Sequence, residues 1–223
     1  MKLLSIETAT DACSAALSID GELRERFDIA PRAHTELILP MIDELMAEAG
    51  ISISQVDVMA FGRGPGAFTG VRIAVGVTQG IAFAADLPVV PVSTLAALAQ
   101  GAKGDRVLAA LDARMNEVYW GAYQRNAAGL MERVDEECVS PPENVPCPPG
   151  NDWQGAGAGW AAYETILSAR CAGQLTSWDG ARFPHARDVA LLGIAGYEAG
   201  RGVSAEQALP VYLRDKVTWK KVR

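Results

Sequence analysis

Two distant segments of this sequence, Leu4-Ser5-Ile6-Glu7-Thr8-Ala9 and Ala109-Ala110-Leu111-Asp112-Ala113-Arg114, are built alike. Each carries an apolar strand into an acid just before a polar turn. Each is followed by a second strand, Cys13 to Ile19 in one case and Glu117 to Tyr123 in the other. A supersecondary unit used twice in one chain is the signature of duplication. The 223 residues suffice for one large domain or two small ones, and the repeat favours two similar α/β lobes. The expected division is 1–102 and 103–223.

The pattern between the repeats supports mixed sheets flanked by helices. A third strand is predicted over Glu22 to Ile29, after the turn at Asp20-Gly21. Leu37, Ile38, Met41, Ile42, Leu45, Met46 and Ala49 fall at helical spacing with Glu36, Asp43, Glu44 and Glu48 opposite them, which predicts an amphipathic helix ended by Gly50. Strands are predicted at Asp57 to Phe61, Pro88 to Val92 and Arg106 to Leu111, and a short helix at Thr94 to Gln100. The prolines from Ser140 to Gly150 exclude a helix or a central strand there, because proline lacks the amide donor and fixes φ. Helical patterns return at Trp160 to Ala172 and Asp188 to Ala199, and the tail from Leu209 to Arg223 reads as a strand with a basic end.

The helix predicted over Val71 to Ala85 is unusual, since Val71, Ile73, Ala74, Val75, Val77, Ile81, Ala82 and Phe83 leave it almost no polar stripe. Arg72, Gly76, Thr78, Gln79 and Gly80 interrupt it below the roughly 20 apolar residues of a bilayer span, so no membrane is expected as a partner. Gly76 and Gly80, four apart, form a flat patch for a second helix. A protein interface over this helix and the one before it is the sharper expectation, with Leu37, Ile38, Met41, Ile42, Leu45, Val71, Ala74, Val75, Thr78 and Ala82 as its candidate residues. The plainer one is that the first helix of the same chain covers it.

Composition narrows the function classes. The net charge of −7 disfavours a dominant electrostatic grip on nucleic acid. Cys13, Cys138, Cys147 and Cys171 form no C-x-x-C pair, the usage of a reducing cytoplasm. The first ten residues lack the basic start and apolar run of a secretory signal, and a cytoplasmic protein is expected. His34 and His185 stand in no metal-binding spacing, so no metal or other cofactor is expected.

The glycine-rich turn Gly62-Arg63-Gly64-Pro65-Gly66-Ala67-Phe68-Thr69-Gly70 leads from a strand into the apolar helix. Amides exposed at such a helix start can hold an anion, which makes Gly64 and Gly66 weak ligand-binding candidates. Glycines that only permit a tight turn are the commoner case. The run is neither a Walker loop nor a dinucleotide fingerprint, and Thr69 is read as the cap of the following helix. Glu7 and Asp112 can be read as paired carboxylates across a cleft, suited to metal-phosphate or acid-base work, or as ordinary turn acids. Ser5, Ser14 and Ser93 lie in no nucleophile elbow, and Gly155-Ala156-Gly157-Ala158-Gly159-Trp160 reads as a tight turn.

Together, Leu4-Ser5-Ile6-Glu7-Thr8-Ala9-Thr10, His34-Thr35-Glu36-Leu37-Ile38-Leu39-Pro40, the run from Gly62 to Arg72 and Pro210-Val211-Tyr212-Leu213-Arg214 resemble the TsaB (YeaZ) family of tRNA threonylcarbamoyladenosine biosynthesis proteins. The resemblance implies a duplicated actin/Hsp70-like fold and a non-catalytic subunit that binds and activates the TsaD transferase through its first two helices. It implies a TsaE-like ATPase as a further member, indirect contact with tRNA, and a homodimer when TsaD is absent. In TsaD, an H-x-x-x-H motif after a Pro-Val strand end holds the metal. Here Pro91-Val92 is followed by Thr94 and Leu98 at the two ligand positions, and neither side chain replaces an imidazole. A peptidase or an actin-fold phosphotransferase is the alternative expectation.

Overall fold

The computed structural model describes residues 1–214. Its first sheet is made of β1 (Lys2–Glu7), β2 (Ala12–Ile19), β3 (Glu22–Ile29), β4 (Val58–Gly62) and β5 (Val89–Val92), in the order β3-β2-β1-β4-β5. The hairpin strands pair antiparallel, and β4 and β5 join parallel to β1. Between β3 and β4 lies α1 (His34–Ala49), between β4 and β5 lies α2 (Phe68–Ala85), and α3 (Thr94–Gln100) follows β5.

The second sheet repeats that plan. It contains β6 (Arg106–Asp112), β7 (Val118–Arg125), β8 (Met131–Arg133), β9 (Cys138–Ser140), β10 (Trp153–Ala156) and β11 (Leu175–Asp179), in the order β11-β10-β6-β7-β8 with β9 also on β7. Again a central hairpin is antiparallel and two later strands add in parallel. The two short strands β8 and β9 stand where the first sheet has β3. The helices α4 (Ala158–Ala162) and α5 (Glu164–Arg170) stand where it has α2. The proline-rich segment, with a short 3-10 turn at Pro142–Asn144, takes the place of α1, because its prolines cannot donate the bonds a helix needs. This is the duplicated actin/Hsp70-like α/β fold.

The closing helix, α6 (Ala186–Glu198), returns to the first sheet. Val189 and Ala190 pack in one cluster with Leu3, Val58, Ala60, Val90 and Val92. Leu95, Leu98 and Ala99 of α3 pack instead with Val107, Ala109 and Leu111 of β6. Each sheet is thus covered partly by the helix that follows the other lobe's strands. Several elements also differ from the sequence reading. The pattern from Trp160 to Ala172 breaks at Tyr163, whose φ of −130° and ψ of 32° leave the helical region between α4 and α5. Residues 209–214 form no strand, and the rest of the tail, with Lys216, Lys220, Lys221 and Arg223, lies outside the described residues.

Candidate functional site: an interlobe cleft and an uncovered helical face

The turn after β1 shows why the sequence needs its glycines. A Cβ on Gly66 would lie 2.4 Å from the Ala9 carbonyl oxygen, and one on Gly70 would lie 2.0 Å from the Thr8 carbonyl oxygen. The backbone of the β4–α2 turn therefore lies directly on the β1–β2 turn. There the Ala67 N–H donates to the Ala9 carbonyl at 2.7 Å and the Thr8 hydroxyl to the Gly70 carbonyl at 2.7 Å. Gly64, at φ 95°, sits against Val71 and the Val211 carbonyl. The second lobe repeats the device, since a Cβ on Gly157 would lie 2.4 Å from the Ala110 carbonyl oxygen. Close packing accounts for all of these glycines. Thr69 is no cap: α2 begins at Phe68 with Ala67 as its N-cap and no side-chain bond, and Thr69 is exposed.

The paired turns of the two lobes face a cleft of about 1190 Å³. Ala9 to Asp11 and Gly66 to Phe68 form one wall, Leu111 to Met115 and Tyr119 the other, with Arg182, Phe183, Tyr212 and Arg214 completing the rim. Asp112 lines this cleft, where it accepts the Arg114 N–H at 2.8 Å and pairs with the Arg114 guanidinium at 3.1 Å. Glu7 does not. It is 1% exposed, sealed beneath Gly62, and accepts the Ala9 N–H at 2.7 Å and the Thr94 hydroxyl at 3.1 Å. Burial drives its carboxyl up to about 7 against those hydrogen bonds. The two acids are therefore not brought together, because the carboxylate that ends β1 is spent on the chain's own turn. Arg182 and Phe183 carried no sequence signal, since they lie in a loop without motif or periodicity.

The segment from Val211 to Arg214 crosses this cleft. The Val211 N–H donates to the Arg63 carbonyl at 2.8 Å, and the Tyr212 hydroxyl accepts from Arg72 at 3.0 Å with its ring 5.6 Å from that of Phe68. Arg214 then pairs with Glu117 at the start of the β7 arm. One short segment thus ties α2 of the first lobe to the turn of the second.

The second feature is the outer side of α2. Ile38, Met41, Ile42 and Leu45 of α1 and Val71, Ala74, Val75, Thr78 and Ala82 of α2 are buried in the first lobe's own core, and Leu37 is partly buried against it. The ten residues chosen from the sequence thus name the inward faces, because periodicity locates an apolar stripe without saying which stripe meets the sheet. The outward face of α2 is apolar too. Phe68 is 57% and Phe83 72% exposed, and a Cβ on Gly76 or Gly80 would meet nothing within 4 Å, while Ile73, Val77 and Ile81 at its margin are half-buried against the first core. On α1, Leu39 and Pro40 are also exposed. The first helix does not cover it. By length and composition alone, α2 is apolar enough to cross a membrane, yet one side of it is built into the first lobe.

A family profile described as "TsaD: tRNA N6-adenosine threonylcarbamoyltransferase" matches residues 28–222. The tRNA threonylcarbamoyladenosine biosynthesis protein TsaB of Escherichia coli (strain K12) is 42% identical over 229 residues, spanning 100% of this chain and 98% of that protein. The chain belongs to the TsaB family. The TsaB of Haemophilus influenzae is likewise 42% identical, over 100% of this chain and 97% of its own. YeaZ from Pseudomonas aeruginosa superposes with a TM-score of 0.90 at 48% identity, covering 95% of this chain and 99% of that one.

In this TsaB family member, Thr94 and Leu98 are both committed to internal contacts. Thr94 is fully buried and its hydroxyl is committed to Glu7, and Leu98 is fully buried in the second core. Among the described residues, no group of three or more His, Cys, Asp or Glu side chains could hold a metal ion. His34 is structural, with Nε2 2.8 Å from the Thr10 carbonyl and 3.2 Å from that of Ala12.

Proposed function

We propose that this chain acts in tRNA threonylcarbamoyladenosine formation as a non-catalytic subunit, holding a TsaD-like transferase against the outer faces of α1 and α2. The observation that carries the reading is the uncovered apolar face of α2, with Phe83 72% exposed and Gly76 and Gly80 open to a close helical approach. Burying such a face would contribute about 25 cal/mol per Å² of apolar surface removed from water. On the exposed side of α1, Glu44 and Glu48 are already paired with Arg26 and Arg24 of β3, so the apolar face rather than charge would select the partner. An apolar helix would complement it. The chemistry itself is assigned to the partner because Thr94 and Leu98 replace its metal ligands and Glu7 is sealed from the cleft. Membership of a TsaE-like ATPase, indirect contact with tRNA, cytoplasmic placement and self-pairing through the same face in the absence of TsaD follow from family likeness.

The test is threonylcarbamoyl transfer to tRNA by a reconstituted system, with this chain present, absent and alone. Transfer should require both this chain and TsaD. An outward substitution, Phe83→Glu or Gly76→Arg, should abolish co-elution with TsaD and transfer while leaving the thermal melt of the isolated chain within a few degrees of wild type. Transfer by this chain alone, or unimpaired transfer by both variants, refutes the proposal.

A further inference from the structure

Cys147 lies in the proline-rich segment that replaces α1, and Cys171 ends α5. Their sulfur atoms are 3.3 Å apart. The approach is held from several sides. Arg170 Nε donates to the Val145 carbonyl at 3.0 Å, Trp120 Nε1 to the Pro146 carbonyl at 2.9 Å, and the Gln174 side-chain amide to the Pro148 carbonyl at 3.0 Å. Pro146 and Pro148 flank Cys147 and restrict the backbone on both sides of it. Cys171 is fully buried, whereas Cys147 is partly exposed. A lone buried cysteine acts as a small apolar side chain. Two in sulfur contact, one of them open to solvent and both fixed by flanking hydrogen bonds, make an attacking and a resolving position.

We propose that Cys147 and Cys171 are a reversible redox pair that takes a low-molecular-weight disulfide as its co-substrate and closes to a bond between the proline-rich loop and the end of α5. In the first step Cys147 gives its proton to water, and the thiolate attacks one sulfur of the small disulfide. That S–S bond breaks, and the departing thiolate takes up a proton. The product is a mixed disulfide on Cys147. In the second step Cys171 loses its proton and attacks Cys147 Sγ, expelling the second small thiol, which is protonated in turn. The protein loses two protons and two electrons, and the small disulfide takes them up to become two thiols. Burial and the hydrogen bond to Cys147 push the Cys171 thiol up to about 12, so Cys147 is the first nucleophile. Closure would restrict the unfolded chain across 24 positions.

The experiment equilibrates the whole chain with graded ratios of oxidised to reduced glutathione, then alkylates free thiols and maps peptides without reduction. The expected result is a Cys147–Cys171 crosslink, reversed by dithiothreitol, with a melting temperature several degrees above the reduced form. Cys171→Ser should stop at a stable glutathione adduct on Cys147, and Cys147→Ser should give neither product. A stable adduct on Cys147 of the wild type, a crosslink to Cys138 instead, or no thiol loss in fully oxidised glutathione overturns the proposal. Peptide mapping does not depend on the transferase partner, so the outcome is separable from that of the proposed function.

Discussion

Thr94 donates its hydroxyl to the Glu7 carboxylate across 3.1 Å, and this buried bond ties the end of β1 to the first turn of α3. It joins the first sheet to a helix that packs mainly on the second. Thr94→Val keeps the shape and removes the donor, leaving a buried carboxylate oxygen short of a partner. It should cost roughly 1–3 kcal/mol of stability at pH 8, measured by urea unfolding, and Thr94→Ser should recover most of that. Equal midpoints for Thr94→Val and wild type would show the bond to be idle.

The same carboxyl makes stability depend on pH. Its ordinary value is 4.5 and its folded value about 7, raised first by burial. The folded state therefore holds the proton more tightly than the unfolded state. The stability it contributes is fully present below pH 4.5 and is lost as the pH rises through 7, a change of roughly 3 kcal/mol at most. Asp188, lifted by burial from 3.8 to about 6, pulls in the same direction. Glu7→Gln should therefore flatten the decline between pH 4.5 and 7 without abolishing it. Parallel pH profiles of the melting temperature for the variant and wild type would contradict the assignment.

Glycines along one segment should respond in opposite ways. Gly70→Ala places a methyl 2.0 Å from the Thr8 carbonyl oxygen, and the strand ends must separate to admit it. It should cost about 3 kcal/mol, at the upper end of overpacking effects. Gly76→Ala meets nothing within 4 Å and should stabilise the isolated chain by about 0.5–1 kcal/mol through helix propensity. Circular dichroism melts of the two variants decide this. If Gly76→Ala stabilises the chain but weakens co-elution with TsaD, the open glycine is kept for a partner.

The duplication was legible because both hairpins carry the same strand, acid and turn order, and period-2 and period-3.6 patterns survive without tertiary context. The strands β10 and β11 were missed because Trp153–Ala156 and Leu175–Asp179 are short and flanked by glycine and polar residues. The return of α6 to the first sheet left no local trace, since Val189 and Ala190 would serve either core equally well. At the site, the glycine run was visible but its purpose was not. Only the Thr8 and Ala9 carbonyls beneath Gly70 and Gly66 show that close packing excludes a side chain there. The ten candidate residues on α1 and α2 lie on the faces turned into the first lobe's core, and on α2 the pattern had no means of telling its two faces apart. A helix that is apolar all round gives periodicity nothing with which to distinguish the sheet from the solvent.

The segment from Val211 to Arg214 should behave as a tie between the lobes. Tyr212 engages Phe68 and Arg72 on α2, and Arg214 engages Glu117 and the Arg114 carbonyl on the other side of the cleft. The Arg214 and Glu117 side chains are 17% and 30% exposed, so the pair is shielded more than a surface ion pair and should couple by about 1 kcal/mol in a double-mutant cycle. The Tyr212 contact combines ring packing on Phe68 with a hydrogen bond from Arg72 and involves no ion pair. Raising the salt to 1 M, where the Debye length falls to about 3 Å, should weaken the Arg214–Glu117 coupling and leave the cost of Tyr212→Ala nearly unchanged. Hydrogen exchange supplies the structural readout. Tyr212→Ala should speed exchange in residues 63–72 and, because the tie is continuous, in 114–119 as well. Acceleration confined to 63–72 would mean that each end of the segment is held independently and that nothing is transmitted across the cleft.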